Sequence, residues 1–361
     1  MGRTKKNLKY FSRYYHSFPQ LLRGHGIGTP SESEYWLSWA PFNKNKYMIF
    51  RMHSQFGQGY LIFAMMESFE WADEMGFIPV LYWGDTLELL GDLKQTKVNN
   101  HWDYFFKQDT DKVLEAKTVL VANMNEVYSN ERIKRRLHVK NYDRGYLECA
   151  DKEWREIFSN YNYYYKKWFI IQDGFRKEIE NEWNEMIEDK NRIMGVMLRE
   201  ELSIDRDLLS PSDAMHNHPW VLGIDEIIDY VKEFKRKYNY SQIYVASMFS
   251  DAISIFQDAF GKDNIVFSNR SRVLFKDFCD YRINISHNEK DFESAFRKTK
   301  RLLPYDLQSN SGYFKDIIFC SKCNSLMGHM CSGTRCALMI NGGEYEHYEM
   351  FPNKKELNLS V

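Results

Sequence analysis

Gly312–Gly343 reads GYFKDIIFCSKCNSLMGHMCSGTRCALMINGG, and its pattern decides the architecture of the half of the chain that contains it. Ile317, Ile318 and Phe319 seat a short amphipathic helix over Asp316–Cys323 on a sheet. Ser325–Gly328 is a brief apolar run suited to a buried parallel strand. Ser332-Gly333-Thr334 then opens a second helix, with hydroxyls available to cap it and a glycine that lets backbone approach closely. Ala337, Leu338, Met339 and Ile340 form its apolar stretch, and Asn341-Gly342-Gly343 ends it. A helix start that follows a strand is also an anion site, because its first N–H groups lack helical partners and the dipole favours negative charge. An ordinary cap is the competing reading of the same residues.

Working outward, the second half repeats the strand–helix alternation. Arg192–Leu198 (RIMGVML) is a strand with Arg199 at its carboxyl end, and Gln242–Ala246 (QIYVA) and Asn264–Phe267 are two more. Asp225–Tyr238 and Asp251–Phe260 supply helices between them, the first burying Ile227, Ile228, Val231 and Phe234. The first half opens the same way. Lys46–Met52 (KYMIFRM) is a strand, Ser54–Gly59 (SQFGQG) a glycine loop, and Ile62, Met65, Met66, Phe69 and Ala72 share one face of a helix that Gly76 stops. Ile78–Trp83 and Thr118–Ala122 follow as strands. Asp151–Lys190 is helical and connects the halves. The expected fold is therefore α/β, with two Rossmann-like parallel-sheet domains facing a cleft and ligands at the carboxyl ends of the strands. The expected divisions are an extension over 1–45, a first domain over 46–175, a second over 176–345 and a tail over 346–361.

The whole chain, 361 residues with a net charge of −1, has room for two cores and no basic field to attract nucleic acid. No apolar run approaches the ~20 residues of a membrane span, and the N-terminus lacks a secretory pattern, so the chain reads as cytoplasmic. Residues 1–45 interleave Lys5, Lys6, Lys9 and Arg13 with Tyr10, Phe11, Tyr14 and Tyr15, a pattern that suits either a solvated cap or peripheral contact with the inner membrane. Asn100–Phe106 (NHWDYFF) reads as core, or as a wall against an acceptor.

Cys320, Cys323, Cys331 and Cys336 are clustered, which invites a zinc-stabilised module. Cys320 and Cys323 fall inside an apolar helix rather than a knuckle, however, and packing accounts for them better. Asp109-x-Asp111 and Asp205-x-Asp207 have the spacing of a metal-held diphosphate, but neither ends a buried strand. His216, His218 and His329 make no ligand set. Arg199 is the strongest single candidate. A guanidinium just beyond a buried strand suits phosphate, and with the Ser332-Gly333-Thr334 helix start it would grip a diphosphate leaving group without a metal or other cofactor.

Gly195-Val196-Met197-Leu198-Arg199 resembles the strand-to-arginine motif of the fucosyltransferase superfamily with the GT-B fold. That superfamily includes α-1,6-, bacterial α-1,2- and protein O-fucosyltransferases. Phe56-Gly57-Gln58-Gly59-Tyr60, His218-Pro219, Ile243–Ser247 with Asp251, and Asp316–Asn341 are similar to further pieces of it, in the same order. The resemblance implies a GDP-fucose donor, with Arg199 on its β-phosphate, Asp316 at the nucleotide, Ser332, Gly333 and Thr334 as the phosphate-binding helix start, and Gly57 and Gly59 across the cleft. It implies inverting transfer to a glycan or glycolipid hydroxyl, with Asp207, Glu200 or Glu201 as general base. The chain departs from the family pattern at Glu200-Glu201-Leu202, at Met197, where the α-1,6 enzymes carry a histidine, and at Gly59, where many relatives carry an amide.

Overall fold

A computed structural model describes residues 34–37, 45–52, 62, 65, 66, 68–70, 72, 73, 76–83, 101–109, 112, 118–123, 154–187, 192–198, 222–275, 307–329 and 331–351. The chain divides into two compact units, Met1–Gly145 with Asn160–Lys177, and Tyr146–Ser159 with Glu178–Val361.

In the first unit the strands are β1 (Glu34–Leu37), β2 (Lys46–Met52), β3 (Ile78–Trp83) and β5 (Thr118–Asn123), in sheet order β1-β5-β2-β3. β2 runs parallel to β3 and to β5, whereas β1 is antiparallel to β5. β1 thus comes from the stretch expected to be an extension. Tyr47, Met48, Ile49 and Phe50 are all buried, the continuous burial expected of a strand covered on both faces. The helical residues between 62 and 73 turn Ile62, Met65, Met66, Phe69 and Ala72 inward, and Gly76 ends them at φ 71°. α1 (His101–Phe105) and the short β4 (Phe106–Lys107) carry Trp102, Phe105 and Phe106 into this core, with Trp102 stacked 4.3 Å from Phe106. The aromatic run at 100–106 is therefore packing. β4 pairs with β6 (Ile170–Ile171).

The chain passes between the units within α2 (Trp154–Trp168) and again within α3 (Asp173–Met186). In the second unit, β7 (Ile193–Met197), β8 (Gln242–Ala246), β9 (Ile265–Val266), β10 (Ser325–Gly328) and β11 (His347–Met350) form one all-parallel sheet, ordered β11-β10-β7-β8-β9. α4 (Ile224–Tyr238), α5 (Ser250–Phe260), α6 (Leu307–Lys322) and α7 (Ser332–Asn341) complete it. α4 buries Ile224, Ile227, Ile228, Val231 and Phe234 and ends on Asn239 in the left-handed region. β11 lies in the stretch expected to be a tail. At the sheet edge its residues are only partly covered and show no apolar run.

Gly195 sits at the middle of β7, where a side-chain carbon would meet Leu326 Cδ1 at 3.2 Å and Cys323 Sγ at 3.3 Å. The glycine in GVMLR therefore has a packing reason: it lets α6 press onto the central strand.

Candidate functional site

The candidate site is built at the carboxyl edge of β7 and β10. Gly328 lies opposite Met197, and the His329 N–H donates to the Met197 carbonyl at 3.2 Å. Leu198 is buried and its N–H donates to the Ala246 carbonyl at 3.2 Å. The chain thus leaves β7 between its two neighbouring strands. Arg199 is the next residue; with Glu200, Glu201, Asp205, Asp207, His216, His218, Gly57 and Gly59 it lies outside the described residues.

α7 starts where expected, but it is not capped as expected. Its N-cap is Cys331, extended at φ −136° and ψ 167°, whose side chain makes no capping hydrogen bond. The Thr334 hydroxyl instead points back and donates to the His329 carbonyl at 2.7 Å, with Cys331 Sγ 3.3 Å away. Arg335 N–H reaches the Cys331 carbonyl at 3.1 Å, the first helical bond, so the amides of Ser332, Gly333 and Thr334 have no partner within the helix. Two glycines make the approach possible. A side-chain carbon at Gly328 would stand 2.8 Å from Thr334 Oγ1; one at Gly333 would stand 2.9 Å from the Tyr313 hydroxyl and 3.4 Å from Met197 Sδ. The helix start therefore abuts the end of the strand that Arg199 follows.

Asp316, carried by α6, is 1% exposed. Its Oδ1 accepts from the Tyr244 hydroxyl at 2.5 Å and from the Ser268 hydroxyl, and its Oδ2 accepts from Arg270 Nη1 at 2.6 Å. A buried carboxylate is tolerable only when paired in this way. Burial, and then the Asp316 charge, push the Tyr244 phenol well above its usual range, so it remains a donor. Arg272 clamps the loop after β9 by donating from Nη1 to the carbonyls of Ser268 at 2.9 Å and Arg270 at 3.2 Å. The Arg270 guanidinium lies 6.0 Å from the centroid of the Tyr313 ring. Asp316 is among the expected site residues, whereas the sequence assigns no role to Tyr244, Ser268, Arg270 or Tyr313. A pair 46 residues apart leaves no local pattern; the one available hint was two arginines in the loop directly after β9.

Three of the four clustered cysteines pack in the interior, while Cys331 is half-buried at the start of α7. Cys320, Cys323 and Cys336 are buried, and Cys323 Sγ donates to the Phe319 carbonyl at 3.3 Å. Burial pushes the thiols of Cys320 and Cys323 up, which disfavours the thiolate that zinc ligation needs. Among the described residues, no three His, Cys, Asp or Glu side chains are grouped to hold a metal ion. Asp109 is paired with Lys112 at 3.0 Å, and His329 is buried with its ring 4.9 Å from Phe351. Arg335, in the first turn of α7 and buried, is a further charged group that the sequence reading passed over.

Fold and site together define an α/β protein in which a helix start meets the carboxyl edge of the central strands of a parallel sheet. No protein-family model and no curated protein sequence matches the chain. Among solved structures, it is similar to the fucosyltransferase NodZ from Bradyrhizobium, at 12% identity and a TM-score of 0.42, over 82% of this chain and 92% of that one. It is similar to NodZ alpha-1,6-fucosyltransferase soaked with GDP-fucose at 11% identity and a TM-score of 0.43, over 84% of this chain and 98% of that one. For POFUT1 in complex with GDP the values are 10% and 0.42, over 86% and 99%.

Proposed function

We propose that the protein is an inverting glycosyltransferase that moves fucose from GDP-fucose to a glycan hydroxyl and needs no metal. The observation that supports the reading is the close approach of α7 to β7, where a side-chain carbon at Gly333 would stand 3.4 Å from Met197 Sδ. In this reading the amides of 332–334, which have no partner within the helix, face the phosphates together with Arg199. In the proposed reaction Arg199 binds the β-phosphate, and the start of α7 receives the charge that grows on the diphosphate as the glycosidic bond breaks. Donors already in place when charge develops stabilise the transition state more than water does. A carboxylate, with Asp207 preferred over Glu200 and Glu201, takes the acceptor proton as the oxocarbenium-like sugar is attacked from the opposite face. Gly57 and Gly59 also belong to the nucleotide-sugar site of the scheme, whereas Asp316, buried and held by Tyr244, Ser268 and Arg270, supports it from inside the protein. A cytoplasmic setting completes the proposal.

A thermal-shift screen over nucleoside diphosphates and sugar nucleotides tests it, because a ligand that binds only the native form raises the melting temperature. GDP and GDP-fucose should raise it in the presence of EDTA, and uridine or adenosine counterparts should not. A shift that requires Mg²⁺ or Mn²⁺, or one that follows another base, contradicts the proposal.

A further inference from the structure

The N-cap residue of α7, Cys331, makes no capping hydrogen bond through its side chain, and α6 packs against the start of α7. One face of α6 supplies that contact. Gly312, Tyr313 and Asp316 lie within one turn, and all three meet the loop after β9 or the start of α7. At Gly312 a side-chain carbon would stand 2.5 Å from Arg270 Cβ, so the glycine admits the Arg270 side chain against the helix. At Asp316 the carboxylate holds Arg270 Nη1 at 2.6 Å, with the Arg270 side chain 8% exposed. Between them, the Tyr313 ring lies under the guanidinium and its hydroxyl stands against Gly333. The contacts thus run from a buried ion pair, through one aromatic ring, to the helix start. Both ends of the pair are fixed: Asp316 is also held by Tyr244 and Ser268, and the Arg270 carbonyl is held by Arg272.

We propose that the Arg270–Asp316 pair is a positioning device for the start of α7, acting through Tyr313, and that it thereby sets how tightly a nucleoside diphosphate is held there. The second clause rests on the function proposed above; the first stands without it. Arg270 and Asp316 act here as positioning residues, shaping the site through Tyr313.

Hydrogen exchange by mass spectrometry on the full chain, without ligand, reads the coupling. R270M should speed exchange of residues 331–338 about tenfold while residues 224–238 in α4 keep the wild-type rate. R270K, which keeps a cation on Asp316, should restore most of the protection. Y313L should also loosen 331–338, and the R270M/Y313L double variant should exchange no faster than the worse single variant, because both act along one path. Should R270M fail to fold, the contrast between Y313L and R270K carries the test. Wild-type exchange at 331–338 in folded R270M or Y313L, or effects that simply add, would overturn the proposal. Calorimetric titration with GDP is the second arm, and affinity should fall in the order of the exchange rates. If the wild type takes up no GDP, the donor reading fails, while the exchange result still decides the coupling.

Discussion

Thr334 shows how one side chain can do something other than what its type suggests. In the sequence it is a hydroxyl at a helix start, and a cap is the default expectation. In the structure that hydroxyl is buried and spent on the His329 carbonyl, fixing the turn between β10 and α7. Thr334→Ala removes the donor and leaves a buried carbonyl short of a bond, so urea unfolding should show a loss of about 1–3 kcal/mol. Thr334→Ser keeps the donor and should retain most of that stability. Equal losses in both variants would mean that the methyl group, not the hydrogen bond, holds the turn. The residue types at 332–334 were legible as a helix start; the direction of the hydroxyl was not, because it depends on where the preceding strand ends.

At the scale of elements, the strands at 46–52, 78–83, 242–246 and 325–328 could be read directly, since apolar runs bounded by glycine or polar residues have few other solutions. β1 and β11 could not. Their pairing partners are remote in sequence, and HYEM in β11 shows no apolar run. The buried cluster around Asp316 was hidden for a related reason: it is assembled by β8, the loop after β9 and α6, which meet only once the sheet has formed. The packing of α6 onto β7 makes Gly195 the sensitive point of this layer. Gly195→Val drives two methyl groups toward Leu326 and Cys323 and should cost about 1–3 kcal/mol in chemical denaturation. Pairing it with Leu326→Ala should return part of the loss, since the contact it strains is then relieved. A Gly195→Val variant of wild-type stability would show that α6 can withdraw freely from the strand.

For the whole molecule, buried acids tie stability to pH. Burial raises the thiols of Cys320 and Cys323 and the phenols of Tyr244 and Tyr345 above their ordinary values. These groups keep their protons in the native state where the unfolded chain would release them. The unfolded state therefore binds fewer protons, and unfolding free energy falls as pH rises. The fall begins near the unfolded thiol value of about 8.5 and steepens near the tyrosine value of about 10. Stability should be insensitive to these groups below that range, and Cys323→Ala should flatten the first part of the decline. A curve that rises between pH 8.5 and 10 would contradict the sign. The central claim concerns a diphosphate held between Arg199 and the start of α7, and calorimetric titration of GDP into the wild type and R199A tests it most directly. The account predicts binding by the wild type and at least about a tenfold loss in R199A, a change of about 1.4 kcal/mol or more, with the melting temperature of the free protein unchanged. Equal GDP affinity in the two proteins would contradict it.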